Sequence, residues 1–182
     1  MSVVLLFAHM QERTAFEIGY IGRDFFIKGP VEASVKPRGF NTWCRLPYPD
    51  HPKGCPNFGK KESCPPLAPY FLDLYKPQVY VAFMQFEFDE YLDNKRELHP
   101  DWTEKALRNP RHFQSHLDSG LKKFINSQLQ NPEFKNWQVM HNSEAMGVNI
   151  HLTAKNAGIV LEWPPEKLMY RIALLTQTLD QE

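Results

Sequence analysis

All three cysteines of this chain, Cys44, Cys55 and Cys64, lie in one short segment that is rich in proline and glycine. Structural cysteines usually occur on strands and helices as small apolar residues, whereas turn-forming residues fold a short chain tightly around a point. The thiolate form of cysteine is a metal ligand, and a bound metal would supply the rigidity that a long loop lacks. Residues 36–66 are therefore predicted to form a metal-binding loop.

The spacing of the cysteines indicates which metal they would hold. Ten residues separate Cys44 from Cys55 and eight separate Cys55 from Cys64, unlike the two-residue spacings of zinc ribbons and bacterial ferredoxins. Wide spacing suits a cluster at least as well as one small ion, because the thiolates must approach different faces of a cluster. The segment is predicted to ligate one [4Fe-4S] cluster whose fourth iron position is open or filled by a non-cysteine group.

Zinc is the main alternative to iron and sulfur. His51 lies between the first two cysteines, so the four side chains could complete a tetrahedral Cys3His site in a non-enzymatic, zinc-stabilised binding module. Thiolate ligands suit both metals. The iron-sulfur interpretation is preferred because of the wide spacing, and the zinc site stays open as the alternative.

The cysteine segment is also basic. From Lys36 to Cys64 there are six basic and two acidic residues, a net charge of +4. Arg45, Lys60 and Lys61 are predicted to neutralise a negatively charged cluster, to tune its redox potential and to orient a small anionic ligand. The same charges could serve a nucleic-acid accessory protein, with nearby aromatic side chains as stacking platforms, but charge balance at a metal is preferred.

Length and composition indicate a single globular domain over residues 1–182. The chain is 42% hydrophobic and 13% aromatic, and its formal net charge of zero gives no chain-wide attraction to nucleic acid or an anionic membrane. The apolar run near the N-terminus is too short for a signal peptide or a membrane span and is predicted to be a buried strand. An odd number of cysteines without an export signal favours reduced thiols in the cytoplasm.

Hydrophobic periodicity predicts an α/β or α+β domain with a mixed sheet and two or three helices. Strands are predicted at Val79–Phe88, Ile159–Trp163 and Leu168–Leu175, the last with a short helix as the alternative. Helices are predicted after Cys64, which would cap the first of them, from Pro110 to Leu129, and from Ser143 to Ala157. The acidic segment Glu87–Glu104 is interpreted as a solvated connection.

A resemblance to a known family supports a metal site. The run Cys55-Pro56-Asn57-Phe58-Gly59, followed by Cys64-Pro65-Pro66, resembles the motif of an uncharacterised family of predicted metal-binding proteins of archaea and anaerobic bacteria. Residues 144–150 and 156–159 resemble the C-terminal half of that family. The resemblance implies a metal, namely an iron-sulfur cluster, and no established reaction. Family members often carry further cysteines downstream, whereas this chain has none after Cys64.

The predicted cofactor does not decide between an enzyme and an electron-transfer protein. With an open iron position, the cluster has two candidate roles: binding a small anionic or sulfur-containing substrate to iron, or electron transfer to a partner protein. No catalytic residue is identified by the sequence. His112 and His116 stand one helical turn apart, but no glutamate lies between them as in zinc hydrolases, so a structural role is preferred.

Overall fold

A computed structural model of the chain describes residues 23–39, 42–47, 51–140, 142–162 and 164–179. Within these residues four strands form one antiparallel sheet with the order β1-β2-β4-β3. The strands are β1 (Arg23–Glu32), β2 (Gln78–Glu87), β3 (Gln138–Met140) and β4 (Leu168–Thr176). The predicted α+β class is confirmed, although the sheet is antiparallel rather than mixed.

Strand β2 lies between β1 and β4 and is almost continuously buried. Val79, Val81, Met84 and Phe86 are each fully buried, and a strand covered on both faces needs apolar residues at consecutive positions rather than in alternation. The prediction of a strand at Val79–Phe88 is confirmed. It ends one residue early because Phe88 already begins a helix.

Strand β4 agrees with the prediction of a strand at Leu168–Leu175. It pairs with β3, with Met140 opposite Leu174 and Gln138 opposite Thr176. The predicted strand at Ile159–Trp163 is wrong for its described residues, since 159–162 have no strand structure. There the Glu162 carboxylate binds backbone groups further along the chain, which favours a turn over an extended ladder.

Five α-helices lie in the described residues, more than the two or three predicted. They are α1 (Phe71–Leu74), α2 (Phe88–Leu98), α3 (Glu104–Leu107), α4 (Gln114–Gln128) and α5 (Ile150–Asn156). Two of them, α1 and α3, have only four residues each and are too short to produce a periodic pattern. The interpretation of Glu87–Glu104 as a connection is wrong, because α2 lies there and buries Tyr91 and Leu92.

The helix predicted from Pro110 to Leu129 is confirmed in its main part. Asn109 accepts a hydrogen bond from the backbone N–H of Arg111 at 3.1 Å and caps a 3₁₀ turn, after which α4 continues. One face of α4 is buried together with Phe113, the residue before the helix. Phe113, Leu117 and Leu121 are each at most 3% exposed. These buried residues follow the predicted helical spacing.

The prediction of one helix from Ser143 to Ala157 is wrong. A 3₁₀ helix covers Ser143–Met146, and α5 begins only at Ile150. Gly147 separates them with a φ of +93°, a left-handed conformation that ends a helix and favours glycine. Val148 then forms a β-bridge with Val35, so long-range backbone pairing replaces the helix that local spacing suggests.

The chain forms two compact units. One takes its described residues from Met1–Phe26, Phe83–Phe124 and Leu161–Arg171, and the other from Ile27–Ala82, Ile125–Val160 and Ile172–Glu182. The first contains an aromatic cluster of Phe86, Phe88, Tyr91 and Phe113. The second contains all three cysteines. The single domain over residues 1–182 stays a prediction.

The N-terminal apolar run that predicts a buried strand lies outside the described residues. Among the helices that the structure does describe, none has the length and apolar character needed to cross a membrane.

Glu162 gives a testable pH dependence. Its Oε2 atom accepts hydrogen bonds from the backbone N–H groups of Glu166, Lys167 and Leu168, and these bonds lower the pKa of the Glu162 carboxyl from its usual 4.5. Because the folded pKa is depressed, the carboxylate stabilises the fold at pH above 4.5, and this contribution is lost as the pH falls through the folded pKa. Glu162→Gln is expected to lower the melting temperature at pH 7, and the difference from wild type should shrink at low pH.

Circular dichroism melts between pH 7 and pH 3 measure this effect. Glu166→Gln is the matched control, because the Glu166 side chain is exposed and makes no hydrogen bond with another described residue. Equal pH dependence of the two variants would contradict the role given to Glu162.

Candidate functional site

The cysteine segment begins with a short 3₁₀ helix that carries Cys44. This helix covers Thr42–Arg45, and the backbone N–H of Cys55 donates a hydrogen bond to the carbonyl of Cys44 at 2.7 Å. Gly54 makes this approach possible, since its φ is +84° and a Cβ atom there would lie 2.6 Å from the Cys44 carbonyl oxygen. The first two cysteines are therefore brought together by backbone contacts across ten intervening residues.

A series of turns connects Cys55 to Cys64. The Cys55 carbonyl accepts a hydrogen bond from Phe58, and the Gly59 N–H donates to the Pro65 carbonyl at 2.8 Å, so the chain returns on itself around Cys64. The Cys64 carbonyl accepts from Leu67 and Ala68. The prediction that Cys64 caps a helix is wrong, because α1 begins only at Phe71. The turn-forming residues between 55 and 68 use their backbone bonds within the loop instead.

The three thiols are half-buried, and none is in a disulfide bond. Burial raises the pKa of the Cys44 thiol, and the negative charges of Cys55, Cys64 and Glu144 raise it further. The backbone contact described above places Cys55 beside Cys44. Sequence reasoning missed Glu144, which is distant in sequence and belongs to no metal-ligand pattern.

The other predicted site residues lie in the same segment as the cysteines and do not complete a metal site with other described residues. His51 is half-buried and its carbonyl accepts a hydrogen bond from Gly54. Arg45, Lys60 and Lys61 are exposed and form no ion pair with another described residue. Among the residues that the structure describes, no three His, Cys, Asp or Glu side chains are arranged to hold a metal ion. Metal binding by Cys44, His51, Cys55 and Cys64 therefore stays a prediction.

A cleft of about 310 Å³ adjoins the cysteine segment in the same unit. It is lined by Pro65 and Pro66, which follow Cys64 in the chain, and by residues 145–147, which follow Glu144. The basic residue in its lining is Arg38, one of the six basic residues from Lys36 to Cys64. Sequence spacing provides no signal that would select Arg38 over Arg45, Lys60 or Lys61.

The two histidines of the region 110–129 have the surroundings expected for a structural role. His112 is half-buried, with its ring 4.7 Å from that of Trp102, which also stacks on His99 at 4.0 Å. His116 is exposed. This arrangement agrees with the structural role preferred for the pair.

No family model, curated protein or solved structure matches this chain. The resemblance to predicted metal-binding proteins therefore stays a prediction.

Proposed function

We propose that this chain is a metal-binding protein that holds one [4Fe-4S] cluster through Cys44, Cys55 and Cys64. The fourth iron position is open or filled by a non-cysteine group. The proposal includes a reducing, cytoplasmic location, because free thiols serve as metal ligands only where they escape oxidation to disulfides.

The observation that supports the proposal most directly is the contact between two of the three cysteines. The backbone N–H of Cys55 donates a hydrogen bond to the carbonyl of Cys44 at 2.7 Å. Gly54 and Gly59 both have positive φ and lie in the segment that connects the three cysteines, where they permit tight turns.

The spacing of the cysteines along the chain favours a cluster over a single zinc ion. Four ligands around zinc, with Zn–S bonds of about 2.3 Å in a tetrahedron, require sulfur atoms about 3.8 Å apart. Ten residues separate Cys44 from Cys55 and eight separate Cys55 from Cys64, and such wide spacing suits a larger group that each thiolate would contact on a different face.

The charges around the cysteines suit a negatively charged cofactor. Arg45, Lys60 and Lys61 project from the same segment and are exposed, so their cationic groups can balance the thiolates and attract an anion. When bound, the cluster would supply electron transfer or, at an open iron, a position for a small ligand. The chain's own residues would bind the cluster, limit solvent access to half-buried sulfur atoms and orient the incoming anion.

Anaerobic purification, followed by an absorption spectrum and metal analysis of the same sample, tests this proposal. A broad band near about 400 nm with roughly four irons per chain is the expected result. A colourless protein with one tightly held zinc per chain would contradict the cluster and support the structural Cys3His site instead. A preparation without stoichiometric iron or zinc would overturn metal binding.

Replacing one ligand gives a sharper prediction. Cys55→Ala is expected to reduce the iron content to a small fraction of the wild-type value and to loosen the loop, because two thiolates cannot retain the cluster. Iron analysis and limited proteolysis of the loop measure the two effects. Ser63→Ala is the matched control, since it removes one γ-atom beside Cys64 without removing a ligand. Full iron content in Cys55→Ala would refute the assignment of this cysteine.

A further inference from the structure

The cleft beside the cysteine segment has a lining rich in proline. Its volume is about 310 Å³, at the lower end of the range for small-molecule sites. Four of its twelve lining residues are prolines, namely Pro37, Pro65, Pro66 and Pro69. Because proline has no backbone N–H, these four residues offer no backbone hydrogen-bond donor. Tyr70 and Met146 also belong to the lining.

Arg38 and Asp73 place two groups of opposite charge in the lining of this cleft. The Arg38 Nη1 and Nη2 atoms donate hydrogen bonds to the two carboxylate oxygens of Asp73, each at 2.5 Å, and its guanidinium lies 4.6 Å from the centre of the Tyr70 ring. The Tyr70 hydroxyl in turn donates to the Lys36 carbonyl at 3.0 Å. These contacts fix the orientation of the guanidinium at the cleft, so little of its freedom remains to be lost on binding a ligand.

The guanidinium keeps donors for a second acceptor. Arginine has five N–H groups, and Asp73 takes two of them, so three are not used by any described residue. The Arg38 side chain is 66% exposed, which leaves these donors accessible. A planar carboxylate matches the fork geometry of the remaining donors.

We propose that this cleft binds a small organic carboxylate with a compact apolar body, held by Arg38 through its anionic end and by Tyr70 and the prolines through its apolar end. The proposal goes beyond metal binding, since the cleft and its donors exist without a cofactor. The cleft lies beside Cys64, so a carboxylate bound there would be a neighbour of the cluster. Only this proximity to the cluster rests on the proposed function.

Asp73 predicts an unusual response to mutation. Its carboxylate orients Arg38 but also repels a second anion at close range. Asp73→Asn retains a hydrogen-bond acceptor and removes the repulsion, so it is expected to tighten carboxylate binding about threefold. Arg38→Gln removes the charge and most donors and is expected to weaken binding at least about tenfold, with Arg38→Lys intermediate because it lacks the planar fork. A merely structural ion pair would not give opposite responses at its two partners.

Benzoate is the probe, titrated into the full-length protein by isothermal calorimetry and by the chemical shifts of the Tyr70 ring. Saturable binding with a Kd of about 1 mM or tighter is expected, and inorganic phosphate is expected to bind more weakly because it has no apolar part. Arg111→Gln is the control for loss of an exposed cation outside the cleft, and circular dichroism checks that each variant is folded.

Three results would overturn the proposal: no saturable benzoate binding, unchanged binding in a folded Arg38→Gln variant, or tighter binding of phosphate than of benzoate. Metal content is measured on the same samples. Arg38-dependent benzoate binding in a metal-free preparation would support the cleft while the cluster failed, and an iron-loaded protein that ignores benzoate would support the cluster while the cleft failed.

Discussion

Under the proposed iron-sulfur function, a Gly54→Ala variant is expected to lose most of the iron that the wild-type protein would hold, although all three cysteines remain in the chain. The added Cβ would lie 2.6 Å from the Cys44 carbonyl oxygen and 2.8 Å from the Arg45 Cα, distances that require backbone to move. Those atoms belong to the 3₁₀ helix that carries Cys44 and accepts the hydrogen bond from Cys55. Separating the two cysteines would disrupt the proposed ligand geometry without removing a cysteine.

Gly59→Ala is the matched control for this prediction. Gly59 also has a positive φ, +70°, and lies in the same loop, but a Cβ there meets nothing within 4 Å. Its cost is the backbone preference alone, about 1–2 kcal/mol, and its iron content should stay near wild type. Gly54→Ala should lose both more iron and more unfolding free energy than Gly59→Ala. Iron analysis and urea unfolding measure both quantities, and equal values for the two variants would contradict the role of Gly54.

Phe113→Ala is expected to lower the free energy of unfolding by about 3–5 kcal/mol. Phe113 is 2% exposed, and its ring centre lies 5.2 Å from that of Tyr91, 5.7 Å from that of Phe86 and 5.8 Å from that of Phe88. Removal of the ring leaves a cavity lined by rigid aromatic side chains that cannot collapse into it. Because typical domains are stable by about 5–15 kcal/mol, this loss is a large fraction of the total.

Urea unfolding at 25 °C measures this effect, with Phe26→Ala as the matched control. Phe26 belongs to the same compact unit and stacks on Phe83 at 5.1 Å, but it is 39% exposed. The same truncation there is expected to cost about 1 kcal/mol, since solvent already covers part of the ring. A loss at Phe113 no larger than that at Phe26 would show that the aromatic cluster does not form the core of this unit.

The elements that sequence pattern predicted correctly are those whose determinants are local and repeated. Strand β2 has a continuous β-branched and aromatic run, and α4 has a capping Asn109 followed by regularly spaced apolar residues. Both signals occur within the element itself, so the tertiary contacts reinforce them. The helix predicted at 143–157 had the same spacing but failed at Gly147, where a β-bridge between Val35 and Val148 replaced helical bonds.

The same distinction applies to the candidate site. The clustering of three cysteines among turn-forming residues is a local property, and the sequence by itself determined that Cys44, Cys55 and Cys64 lie in one short segment. Only the tertiary structure decided which distant groups join them, because periodicity and turn chemistry contain no information about how separate loops pack. It placed Glu144 near Cys44 and paired Arg38 with Asp73, 35 residues away, beside a proline-lined cleft.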